Sequence, residues 1–342
     1  MTILSVFLIL ALLIPFLPFK HWFFAAFEFG RVLFLCLGVL AVILYVADLP
    51  AEPLQMILFG LVVLSTAWQA RVIFPYTPLA PVQSAGCSDP PDLCILWANV
   101  LQTNENKAGF VRLLDVNQPD VFITLESDHK WEAVLDAFAK AYPFRVKVPQ
   151  DNLYGMHLYS RLKIVEEQVM YLVDDRYPSI RARLQLENGR HVQLICIHPP
   201  PPAPMERSTS VARDGELMVA ARMICNLEGP VIVCGDLNDV AWSDIGRLFQ
   251  RVAGLLDPRK GRGLFNTFHA WYPLLRAPID HVFHSHHFKL HAIRRLPKFG
   301  SDHFAMYCSL CLDRQSAPDA DAEEEHLMEA EEKISAAQEA AG

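Results

Sequence analysis

Polar residues able to bind a cation or handle a proton recur where short apolar runs end. The run Ile95–Val100 carries Asn99 at its close, Val121–Leu125 leads into Glu126, and Val192–Ile197 leads into His198. Val231–Cys234 is followed by Gly235-Asp236-Leu237-Asn238-Asp239, and Ile279 by Asp280-His281. Gly300-Ser301-Asp302-His303 stands just before the last apolar run. An unpaired carboxylate buried in a packed sheet is costly, so acids at strand ends point into a shared site. Six such ends carrying Asn, Glu, Asp and His suit a hard divalent cation with proton-handling or orienting partners. His281, His284, His286 and His287 lie on and after a strand with no matching cysteine pair, so they read as loop or surface residues rather than a zinc centre. Asp239 reads as the cap of a helix starting near Trp242.

The elements that must hold these side chains alternate along the chain. Further strand candidates are Met156–Tyr159, Ile180–Leu186 and Ala305–Leu310, and helical patterns cover Ala108–Val116, Trp131–Ala141, Arg213–Leu227 and Trp242–Leu256. Several strands lack strict alternation, as expected when both faces of a sheet are covered. The pattern predicts an α/β domain of layered sheets over about 93–312, with no internal repeat.

The order of seven motifs then resembles the endonuclease/exonuclease/phosphatase (deoxyribonuclease I-like) superfamily. They are WANV (97–100), ITLESDHKW (123–131), YGMHLYSR (154–161), LICIHPP (194–200), VIVCGDLND (231–239), PIDHVF (278–283) and GSDHF (300–304). The resemblance implies a four-layer α/β sandwich, two packed mixed sheets flanked by helices. It implies Mg²⁺ (or Mn²⁺) held by Glu126 with Asn99, Asp302 contributing, while Asp236 and Asn238 orient and activate a water. His303 would sit against the scissile phosphate with Asp280 fixing its tautomer, and His198 would match the second histidine of the deoxyribonuclease- and sphingomyelinase-like branches. One departure stands out: where that branch has a glutamate partner for the second histidine, the nearest match here is Tyr154, either a phosphate hydrogen-bond donor or a packed aromatic. Arg259 and Arg262 fall in a basic stretch beside the site and are candidates to grip substrate phosphates. The implied reaction is in-line hydrolysis of a phosphate ester, with nucleic acid or a phospholipid headgroup as substrate. The alternative is a non-catalytic, membrane-tethered binding protein of the same fold.

Outside this domain the apolar excess is concentrated at the start of the chain, which has a mean hydropathy of +0.20. Uncharged runs at 1–19, 32–47 and 53–70 approach the ~20 residues that cross a bilayer as helix, predicting a membrane anchor of about three spans in 1–71. This makes the protein an integral, multi-pass protein of a bacterial inner or plasma membrane. Lys20, Arg31 and Arg71 fall on one side of three spans, which puts the catalytic domain in the cytoplasm by the positive-inside rule. Residues 72–92 read as a Pro-rich linker; Cys87 and Cys94 flank a Pro-rich stretch and could bridge in an oxidising compartment, though nothing in the sequence requires it. Residues 313–342 read as an acidic tail, disordered or a frayed solvated helix, that accounts for the whole net charge of −8. Residues 72–312 are charge-balanced, unlike a dedicated duplex-DNA binder.

Overall fold

A computed structural model describes residues 1–313 and 323–341. Four helices come first: α1 (Thr2–Leu13), α2 (Trp22–Phe29), α3 (Arg31–Ala47) and α4 (Pro53–Ile73). Then follow β1 (Leu93–Asn99), α5 (Lys107–Asn117), β2 (Val121–Leu125), α6 (His129–Leu135), β3 (Phe144–Val148), β4 (Met156–Ser160), β5 (Lys163–Tyr171), β6 (Pro178–Gln185) and β7 (His191–Cys196). The chain continues through α7 (Val211–Cys225), β8 (Val231–Asp236), α8 (Asp244–Val252), β9 (Asp280–His284), β10 (Phe288–Arg295), β11 (Met306–Leu312) and α9 (Glu324–Ala341).

The strands form two mixed sheets, ordered β10-β11-β1-β2-β4-β3 and β5-β6-β7-β8-β9. Alternate side chains of both sheets, among them Ile95, Ile123, Leu158, Ala182, Leu194 and Cys234, meet in one apolar layer between them. The opposite faces are covered by helices. Leu96, Phe122 and Tyr159 pack under α5 and α6, and Ile195, Val233 and Phe283 pack under α7, α8 and α9. This is the expected four-layer sandwich, and the parallel pairs β1/β2 and β7/β8 bring four functional strand ends to one rim. Gly235 makes one of these approaches possible: a Cβ there would stand 2.0 Å from the Ile197 carbonyl oxygen.

Several expectations outside the sandwich need correction. Described residues of the acidic tail form α9, which buries Ala330, Ile334 and Ala337 against α7 rather than staying disordered. Residues 314–322 and 342 of that tail lie outside the described residues. The 72–92 segment is not a free linker. Tyr76 is buried and donates to the Ala241 carbonyl, Ser84 is buried against His284, and Cys87 is disulfide-bonded to Cys311 of β11, not to Cys94. Three spans are not seen either. One helix, Pro53–Tyr76, is long and apolar enough to cross a membrane; Trp22–Phe29 with Arg31–Ala47 qualifies only as a pair bent by 60°, and Thr2–Phe16 is shorter.

Candidate active site

Asn99 and Glu126 end the parallel neighbours β1 and β2, while Asp236 ends β8 and Asp280 opens its antiparallel partner β9. Asn99 Nδ2 lies 2.6 Å from Glu126 Oε1 and 3.1 Å from Asp236 Oδ2, bridging two carboxylates contributed by different sheets. Its Oδ1 accepts from the Leu101 N–H at 3.0 Å, which fixes the amide. Glu126 and Asn238 have φ of 55° and 50°, left-handed conformations that cost energy for these residues and aim both into the cleft. Burial raises Glu126 to about 7, with the Asn99 bond opposing it. Burial also raises Asp236, whose Oδ1 accepts the Asn238 N–H at 3.0 Å.

His303 Nδ1 lies 2.8 Å from Asp280 Oδ2, and its Nε2 lies 3.5 Å from Asp236 Oδ2. Burial alone would lower its pKa, but Asp280 and Asp236 raise it to about 10, so it is an imidazolium at neutral pH. His198 Nε2 is 3.9 Å from the same Asp236 oxygen, and burial lowers it to about 4, leaving that ring neutral. Two histidines of opposite charge state therefore flank one carboxylate.

The expected residues thus converge: Asn99, Glu126, His198, Asp236, Asn238, Asp280 and His303 share one cleft, and Asp302 is close enough for its charge to raise Glu126 further. Tyr154 packs against His198 with ring centroids 5.1 Å apart and donates to Glu206. Glu206 reaches the tyrosine and not the histidine, and His198 Nδ1 has no hydrogen-bond partner among the described residues. Arg259 and Arg262 are placed elsewhere. Arg259 is wholly buried behind the site in a two-pronged pair with Asp257, and Arg262 bonds the Pro258 and Ser84 carbonyls. Asp239 is not a helix cap either, since Ser243 caps α8 and Asp239 pairs with buried Arg213 at 3.1 Å. His281 and His284 are buried rather than on the surface.

Residues not singled out from the sequence hold the constellation in place. Ser301 Oγ donates to the Asn99 carbonyl at 2.8 Å and accepts the His303 N–H, joining the last loop to β1. Thr267 Oγ1 accepts the Asp280 N–H at 3.2 Å, and Arg213 donates to the Asn238 carbonyl at 3.1 Å. Ser301 sits inside a motif and was legible there. Thr267, Arg213 and Glu206 carry no local spacing signal.

The donor set fits a hard divalent cation. Glu126, Asp236 and Asp302 offer carboxylate oxygens, Asn99 turns its amide nitrogen to two of them, and buried Asp280 Oδ1 has no hydrogen-bond partner. Asp236, Asp280 and His303 also bring ligand atoms within 4.8 Å of one another. A two-sheet sandwich with carboxylates and two histidines gathered at one rim is an arrangement suited to phosphate-ester hydrolysis.

The model described as Endonuclease/Exonuclease/phosphatase family matches residues 96–303, and the chain belongs to that family. Solved structures agree in fold. They include D. rerio TDP2 complexed with single-strand DNA product, at 18% identity and TM-score 0.53 over 64% of this chain and 98% of that one. The human Nocturnin catalytic domain with bound sulfate aligns at 17% identity and TM-score 0.52, over 66% and 96%. An endonuclease/exonuclease/phosphatase from Bacteroides vulgatus aligns at 16% identity and TM-score 0.54, over 65% and 99%. Among curated proteins none matches significantly.

Proposed function

We propose that this chain is a membrane-tethered, divalent-metal-dependent phosphodiesterase. The observation that carries the reading is the Asp280–His303–Asp236 array set against the Asn99–Glu126 pair. Glu126, with Asn99 and Asp302 beside it, would hold Mg²⁺ or Mn²⁺, which would supply positive charge against a phosphate oxygen. Asp236 Oδ2 takes the proton of the attacking water, and Asn238 orients that water. His303, kept protonated by Asp280, donates from Nε2 to the phosphoryl oxygens as negative charge develops. Neutral His198, held by Tyr154, stands on the other side of Asp236. Titration calorimetry with Mg²⁺ tests the assignment. Glu126→Gln weakens binding at least about tenfold and abolishes turnover, since a single ligand carboxylate is lost; unchanged affinity would overturn it.

Tethering is supported by the apolar outer surface of α1, α3 and α4. Leu8, Ala11, Phe34, Ala41 and Val62 form an apolar core, yet Ile3, Ile43, Leu54, Ile57 and Leu64 are exposed as well. Large apolar side chains exposed all along a helical bundle suit a lipid environment. Thr2 bonds Gln55 at one end of the bundle and Arg31 bonds Gln69 at the other, so Lys20, Arg31 and Arg71 gather at the catalytic end. Three basic residues are few, which makes this a weak inside signal. The Cys87–Cys311 bond favours an oxidising compartment, and we assign the catalytic domain to the extracytoplasmic side.

A further inference from the structure

The two loops that carry the histidine neighbourhoods are both bonded to the N-terminal helices. After His198, the 199–210 loop receives the Trp22 N–H on its Ser208 carbonyl at 2.9 Å, and its Ser210 N–H donates to the Lys20 carbonyl at 2.8 Å. The same loop carries Glu206, which holds Tyr154 against His198. On the other side of the cleft, Phe268 lies 4.9 Å from the His303 ring and pairs with it along the backbone. Phe268 and Leu264 pack in one apolar cluster with Val32 and Leu35 of α3 and with Val72 and Ile73 of α4. Trp242 Nε1 donates to the Glu28 carbonyl at 2.8 Å and locks the same junction. The cleft therefore opens beside the end of the helical bundle.

Around that opening the loops present large apolar side chains with no protein cover. Met205 is 95% exposed, Leu274 81% and Leu275 63%, with Tyr272 at 56%, Trp271 at 49% and Leu153 at 39%. These residues come from three separate loops, each reaching a catalytic group within a few residues. Trp and Tyr next to leucines is the composition that settles at a membrane–water interface.

We propose that this rim lies in the membrane interface and that the site takes the phosphodiester headgroups of bilayer phospholipids. The inference rests on the phosphodiesterase reading above. In the reaction, water oxygen bonds to phosphorus, one P–O ester bond breaks, and the leaving alcohol oxygen takes a proton while the other product keeps the phosphate.

The test uses the full chain in phosphatidylcholine/phosphatidylglycerol nanodiscs. Brominated phosphatidylcholine quenches a fraction of the tryptophan emission that disappears in Trp271→Phe. Leu274→Ser combined with Leu275→Ser lowers hydrolysis of nanodisc lipid by about tenfold or more, as expected for lost interfacial seating, while turnover of soluble bis(p-nitrophenyl) phosphate is unchanged. An unquenched Trp271 overturns the proposal, as does equal loss on both substrates or loss on neither. Turnover of single-stranded DNA with none on lipid also overturns it. Failure on the soluble diester by the wild-type chain instead sinks the phosphodiesterase reading, and the quenching still tests the rim.

Discussion

Arg259 decides between a substrate-gripping and a structural arginine in the basic stretch. Its Nε and Nη2 lie 2.9 and 2.8 Å from the two Asp257 oxygens, Nη2 also reaches His281 Nδ1 at 2.8 Å, and both members of the ion pair are about 1% exposed. Burial and the Arg259 charge push His281 down to about 3, so the ring accepts from Arg259 and donates from Nε2 to the Asp239 carbonyl. Arg259→Ala leaves the Asp257 carboxylate buried without a partner. Breaking one side of a buried pair costs about 3–5 kcal/mol. For a domain of this size each kcal/mol lowers Tm by about 2–4 °C, giving a loss of roughly 6–20 °C. Thermal unfolding of the detergent-solubilised chain measures it. Replacing both partners, Asp257→Leu with Arg259→Met, restores most of the loss, because no buried charge then stands alone. Below its Tm, Arg259→Ala keeps a near-normal KM. A variant with unchanged Tm and a KM raised tenfold would refute this reasoning and return Arg259 to the substrate.

Other consequences are equally direct. Burial holds His157 near 4, below its ordinary 6.5, with Ser127 Oγ 2.7 Å from Nδ1. The unfolded chain binds the extra proton, so this contribution is intact above pH 6.5 and declines as pH falls toward 4, by about 3 kcal/mol in all. Tm measured across that range shows the slope, and His157→Gln flattens it. In right-side-out membrane vesicles Cys87 and Cys311 react with membrane-impermeant maleimide-polyethylene glycol only after an impermeant reductant is added; no labelling until the membrane is opened by detergent would put the catalytic domain in the cytoplasm.

The strands that sequence periodicity misses share a position. β3 (FRVKV), β5 (KIVEEQVMY) and β10 (FKLHAIRR) are all sheet edges, where charged residues face solvent and blunt further pairing. Central strands are covered on both faces and announce themselves as apolar runs. The site was legible for the same reason, because each functional residue stands at the end or the start of a buried run. Arg259 and Arg262 were misplaced because charge in a sequence does not say whether its partner is substrate or Asp257. The tail misled in a related way: the described acids of α9 are exposed, and a few apolar residues, Leu327, Ala330, Ile334 and Ala337, carry the docking. The Cys87–Cys311 bond spans 224 residues and has no local signature.

The central claim is that one buried, carboxylate-held imidazolium drives hydrolysis of a phosphodiester. The most direct measurement is turnover of bis(p-nitrophenyl) phosphate by the full chain with Mg²⁺, with EDTA, and with His303→Ala at matched folding. The account predicts turnover that EDTA abolishes and that His303→Ala lowers by about 10²-fold or more. Turnover equal in wild type and His303→Ala, or none from the folded wild type on any phosphodiester, would contradict it.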